Sequence, residues 1–171
     1  MRSVYAITLF VVSLVFALGI NYWAGKRDLE YDEVSYQSLA EKYAETGVYG
    51  IDGIQAYRAP IYPMTLGVLY RCFGKDVVVG RIYQSVLSAL MVALTYLLGD
   101  FLYSRKTGIL AAGLLMLDSF WWLNQTVLTQ ENLVSVMTMI SILLVLFSMQ
   151  AQSVKKQISL MAVAGFSFWG G

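Results

Sequence analysis

An all-α, polytopic membrane fold is predicted by three features of this 171-residue chain. Hydrophobic residues make up 58% of it and charged residues only 13%, against about a quarter charged in soluble domains. Apolar runs approaching or reaching membrane-spanning length recur at 4–23, 82–103, 108–123 and 132–149, with a shorter one at 158–171. Eight of the eleven acids (Asp28, Glu30, Asp32, Glu33, Glu41, Glu45, Asp52 and Asp76) fall between residues 25 and 76, so a polar insert interrupts an otherwise apolar chain. The expectation is four transmembrane helices and a partial fifth. A large first loop, 24–76, would carry interfacial helices.

The first run holds no charge and reaches about 30 Å at 1.5 Å per residue, the hydrocarbon thickness. Arg2 precedes it, as in a signal peptide, but the run exceeds a signal core of roughly 7–15 residues and reads as a retained helix. In the insert, Tyr36, Leu39, Ala40, Tyr43 and Ala44 recur on one face of a 3.6 period, predicting an amphipathic helix over 34–46 on the membrane surface. Asp32 or Ser35 can cap its start, and Gly47 suits its C′ position. Pro60 and Pro63 predict an extended approach to a second short helix over 63–73, closed by Gly74. That helix covers about 16 Å, too little to cross.

Charge orders the remaining runs. Arg2, Arg105-Lys106 and Lys155-Lys156 fall on one side if each run crosses once. Short basic loops belong in the cytoplasm, which puts the N-terminus inside and both the 24–76 insert and the 124–130 loop outside. The fifth run covers about 21 Å, short of a crossing. The chain is therefore expected to be the N-terminal piece of a longer membrane protein.

Composition excludes several functions. A net charge of +1 offers no basic surface for nucleic acid. Without histidine there is no His-based catalysis, and a metal would need oxygen ligands, as Mg²⁺, Mn²⁺ or Ca²⁺ do. The lone Cys72 permits no intrachain disulfide.

Topology brings acids together. Asp32 and Glu33 follow the outer end of the first run, and Glu131 opens the fourth from the same side. Carboxylates at a membrane boundary are costly unless paired, hydrated or metal-bound. Such a pair can act as general base and positioning group, or Asp32 and Glu131 can hold a divalent cation (Mg²⁺ or Mn²⁺). Each also has a plainer reading: Asp32 as a helix cap, Glu33 pointing to water, Glu131 favouring the helix dipole. Arg58 can bind a phosphate, or pair with Asp52 or Glu33. Arg81 and Gln84 sit where a lipid headgroup would meet the second run, or merely mark the interface. Tyr62 and its neighbouring tyrosines can stack on a sugar or form an interfacial belt. Asp118 is an acid inside the third run, and Asp100 can pair with Arg105.

The layout resembles the GT-C superfamily of membrane glycosyltransferases, in the branch of protein O-mannosyltransferases and aminoarabinose transferases. The likeness rests on the Asp32-Glu33 pair after one span, the helix that follows it, Gly47, the Arg58-Ala59-Pro60-Ile61-Tyr62-Pro63 turn, Arg81 with Gln84, and Glu131. It implies that residues 1–171 form the N-terminal part of a GT-C-type transmembrane domain. It implies transfer of a sugar from a polyprenyl-phosphate donor to a hydroxyl or phosphate of a lipid, glycan or protein, with inversion, outside the cytoplasm. Asp32 would be the base, assisted by Glu33 and Glu131, with Arg58, Tyr62, Arg81 and Gln84 near the substrates. Relatives carry further spans, which implies that the chain alone is inactive. The rival reading is a non-enzymatic membrane module, such as part of a transporter or an assembly subunit.

Overall fold

The computed structural model describes residues 2–24, 27–50 and 58–150, together with 159, 160, 162, 163 and 165. Among them every regular element is helical: α1 (Arg2–Ala24), α2 (Asp32–Thr46), α3 (Ile61–Phe73), α4 (Val77–Leu102), α5 (Arg105–Leu117), α6 (Ser119–Asn124) and α7 (Glu131–Met149). Three helices are long and apolar enough to cross a membrane: Ser3–Trp23, Val77–Leu102 and Glu131–Met149.

Helix α4 is the axis, with half of its apolar stretch buried. Helix α1 runs antiparallel to it, with Asn21 against Ser85 at one end and Tyr5 against Tyr96 at the other. Helix α5 also returns antiparallel, and here the backbones nearly touch. A Cβ on Gly108 would lie 2.5 Å from the Tyr96 carbonyl oxygen, and one on Gly99 2.7 Å from the Gly108 Cα. Only glycine permits this crossing. Helix α7 runs parallel to α4: Leu87, Leu94, Val136 and Leu143 form a shared core, and Phe101 meets Phe147 edge-on at 4.9 Å.

The alternation of ends therefore holds among these helices. The start of α1 and the Arg105 turn share one end, where the guanidinium lies 5.3 Å from the Tyr5 ring centroid. The chain leaving α1, the α2–α3 pair and the 125–130 segment share the other.

Helices α2 and α3 pack side by side in the same direction, start to start at Tyr36 and Tyr62 and end to end at Ala44 and Arg71, through Tyr36, Ala40, Tyr62, Leu66 and Tyr70. A Cβ on Gly67 would stand 2.7 Å from the Ala40 carbonyl oxygen, so this contact too is backbone to helix. Gly47 closes α2 in the left-handed conformation (φ 71°), its N–H bonded to the Tyr43 carbonyl, and Arg71 donates to the Tyr43 and Ala44 carbonyls at 3.1 Å each.

Three expectations change. The second span starts at Val77 rather than at 82, because Asp76 caps it by accepting from the Val78 N–H at 2.9 Å. The third run is not one helix. It breaks at Asp118, whose carboxylate accepts from the Phe120 and Trp121 N–H groups and starts α6, leaving α5 with 13 residues. The approach to α3 is not extended: Pro60 is itself αR, and α3 begins at Ile61 with Pro63 in its first turn, where a missing N–H costs no helical bond. The Lys155-Lys156 loop and most of the fifth run lie outside the described residues.

Candidate functional site

The site grows from the first turn of α2. Asp32 is its first residue but not its cap: Tyr31 holds the N-cap position at φ 47°, rare for a non-glycine, and makes no capping bond. Successive helix positions point about 100° apart, and here the two acids part company. Asp32 faces outward, its side chain 57% exposed, while Glu33 is 1% exposed.

Asp32 is held by Arg58 through both carboxylate oxygens, with Nη2 on Oδ1 and Nη1 on Oδ2 at 3.2 Å. This is the two-pronged geometry that a guanidinium offers a carboxylate or a phosphate. The Arg58 pairing expected with Glu33 is replaced by this one, and Asp52 lies outside the described residues. The guanidinium carbon sits 5.2 Å over the Tyr36 ring, and the Tyr49 hydroxyl donates to the Arg58 carbonyl at 2.7 Å.

Glu131 opens α7, exposed, and comes near the same spot. The Tyr36 phenol registers this: burial pushes its pKa up, Arg58 pulls it down, and the charges of Glu131 and Asp32 push it up again. One ring therefore lies in the field of all three charges. Tyr36 in turn meets Tyr62 edge-on at 5.3 Å. Burial drives the Tyr62 phenol well above its ordinary range, so it is a neutral hydroxyl. At 1% exposure Tyr62 is structural in placement and offers no open face for stacking. Beside it, Ile61, Gln130, Leu133 and Met137 line a small apolar groove between the start of α3 and α7.

Glu33 does not point to water. Its Oε1 accepts from the Leu128 N–H at 2.9 Å and from Arg27 Nη2 at 2.9 Å. Its Oε2 accepts from the Glu30 N–H at 3.1 Å and lies 2.8 Å from Arg27 Nη1. Arg81 and Gln84 also point inward rather than to the interface. Arg81 Nη2 donates to the Arg27 carbonyl at 2.8 Å. The Gln84 amide nitrogen shares its two hydrogens among the Tyr62 hydroxyl and the Val127 and Thr129 carbonyls, all within 2.9 Å, while its oxygen accepts from Asn132 at 2.9 Å.

Sequence reasoning missed Arg27, Asn21, Gln125 and Asn132. Asn21 donates to the Ser85 hydroxyl at 2.7 Å and to Gln125 at 3.2 Å, and Gln125 donates to the Ala17 carbonyl. The available signal was an amide inside or beside an apolar run, where a polar group must find a protein partner.

Together these residues place the Asp32–Arg58 pair beside Tyr36, and the start of α7 that carries Glu131 at the same end of the bundle, on a base of buried hydrogen bonds. The arrangement can accept a proton at Asp32 and bind an anion at Arg58. As for the divalent cation, the described residues contain no group of three or more Asp, Glu or Cys ligands.

Comparison with known families matches residues 57–170 to the family described as dolichyl-phosphate-mannose-protein mannosyltransferase. The match spans Arg58, Tyr62, Arg81, Gln84 and Glu131 but begins after Asp32 and Glu33. Neither the curated proteins nor the solved structures gave a match.

Proposed function

The chain belongs to the dolichyl-phosphate-mannose-protein mannosyltransferase family of membrane glycosyltransferases, and from that premise we propose that its polar end is the transfer site. The donor is a polyprenyl-phosphate-linked sugar, and the acceptor is a hydroxyl, on a protein in the first instance. Asp32 takes the acceptor proton. The freed oxygen attacks the anomeric carbon with inversion. The carbon–oxygen bond to the phosphate breaks, and the polyprenyl phosphate leaves with the electron pair. Arg58 receives the phosphate charge as it grows, and Glu131 orients the acceptor hydroxyl. Arg81, Gln84 and Tyr62 serve the substrates indirectly, by holding the walls of the site. No step is routed through a metal.

The observation that carries this reading is the Asp32–Arg58 pair over Tyr36, with the start of α7 that carries Glu131 packed at the same end of the bundle. The basic residues support its orientation. Arg2 and Arg105-Lys106 lie at the opposite end, which the positive-inside tendency assigns to the cytoplasm. The site then faces outward. The assay uses the full-length protein in membranes. Asp32→Asn should reduce sugar transfer from a polyprenyl-phosphate donor by about 10²–10⁴-fold, the usual worth of a general base, at unchanged protein level. Transfer at the parent rate would remove Asp32 from the role.

A further inference from the structure

Resting on that transfer reading, we infer that Glu33 is a positioning residue: its buried carboxylate ties the 125–130 segment, and so Glu131, in fixed register with Asp32.

Glu33 is ill-placed for direct chemistry. Both oxygens are taken by four N–H donors, and the residue is 1% exposed. A role confined to starting α2 would account for the bond from the Glu30 N–H, as in a capping box. It does not account for the bond from the Leu128 N–H, which reaches across 95 residues of sequence. A carboxylate is an expensive anchor in a water-poor place. A neutral glutamine could cap the same turn without that cost. The charge is used because N–H donors converge on both carboxylate oxygens, Leu128 and Arg27 on one and Glu30 and Arg27 on the other, where a glutamine would turn its NH₂ toward one pair of them.

The mechanical consequence follows from the chain. Asp32 is the residue before Glu33, so fixing Glu33 fixes the backbone that carries Asp32. Leu128 lies three residues before Glu131, and the Gln130 carbonyl already accepts from the Val134 N–H at 3.0 Å to begin α7. Fixing Leu128 therefore fixes the first turn that carries Glu131. Arg27 completes the tie. It neutralises Glu33, reaches the Thr126 carbonyl at 3.5 Å, and its own carbonyl accepts from Arg81 of α4. One carboxylate thus couples the two acids of the site to the axis of the bundle.

The test combines local hydrogen exchange with kinetics on the full-length protein in lipid nanodiscs. Glu33→Gln should speed exchange at least tenfold in peptides covering residues 125–133, while peptides from the middle of α4 keep their protection. The kcat for sugar transfer should fall about 100-fold with the donor KM within twofold. The acid limb of the kcat–pH profile should stay in place, because Glu33 is not the titrating base. Arg27→Gln, altering the more exposed partner, should show the same pattern at smaller amplitude and serves if Glu33→Gln does not fold. Unchanged exchange at 125–133 in both variants overturns the tie. Faster exchange with kcat intact overturns the positioning role, and a moved acid limb does so by making Glu33 the base. Full activity in Asp32→Asn, with faster exchange in Glu33→Gln, sinks the transfer reading alone.

Discussion

The two ends of α4 are held by opposite means. Near its start, buried amides, a guanidinium and a carboxylate knit α1, α2, α3, α7 and the 125–130 segment together through directional bonds. Near its end, glycines bring α4 and α5 to backbone contact, and apolar rings close the rest. Packing of the second kind is enough to hold membrane helices together. A cheaper solution was therefore available at the polar end and was not used there. Buried polar networks fix geometry at a cost in stability. Such a network joins the elements at the end that carries Asp32, Arg58 and Glu131, and marks where geometry matters.

That contrast can be broken from either side. The largest effect is expected at the glycine crossing. Gly108→Ala places a Cβ against backbone atoms that cannot swing away, and should lower stability in detergent by about 3 kcal/mol, the upper part of the overpacking range. Turnover per folded molecule should be unchanged, measured by sugar transfer after removal of aggregates. At the other end, Asn132→Leu keeps the bulk but strips Gln84 Oε1 of its donor. About 1–2 kcal/mol of stability should be lost, and turnover should fall by roughly tenfold or more. Equal loss of turnover in the two variants would erase the distinction. The smallest effect is alkaline. Burial raises Tyr62 and Tyr70 above the ordinary phenol value. Their neutral forms stabilise the fold fully below about pH 10, and that contribution is lost as pH rises through the folded-state values. Hydrogen exchange should therefore loosen α2 and α3 before the α4–α5 crossing.

How much of this could be read from residues alone follows the same divide. Periodicity and a single glycine were enough for α2, because an amphipathic face and a left-handed C′ residue are local properties. The α1 span was legible from its length. The break at Asp118 was not, since an acid in an apolar run looks alike whether it pairs sideways or caps a new helix. Tyr36 as the meeting point of the charges needed the crossing of α2 with α3. Glu33 was the deepest failure. Beside Asp32 in a loop-like acidic stretch it read as solvated, and only the return of the chain at Leu128 reveals it as buried. The Arg58–Asp32 pair was half legible: the need for an anion was clear, but the choice of partner was set by how α2 and α3 pack start to start.

The position of Leu128 also bears on biosynthesis. A membrane chain emerges from its N-terminus, so α1 through α4 are present before residue 128 has been made. Until then Glu33 and Arg27 have each other but lack the backbone they are shaped to grip, and Gln84 lacks the Val127 and Thr129 carbonyls. This end of the bundle can close only when the chain returns through α6. The nascent protein thus carries its acidic pair, unfinished, through most of its insertion, and completes the site in a late step of assembly.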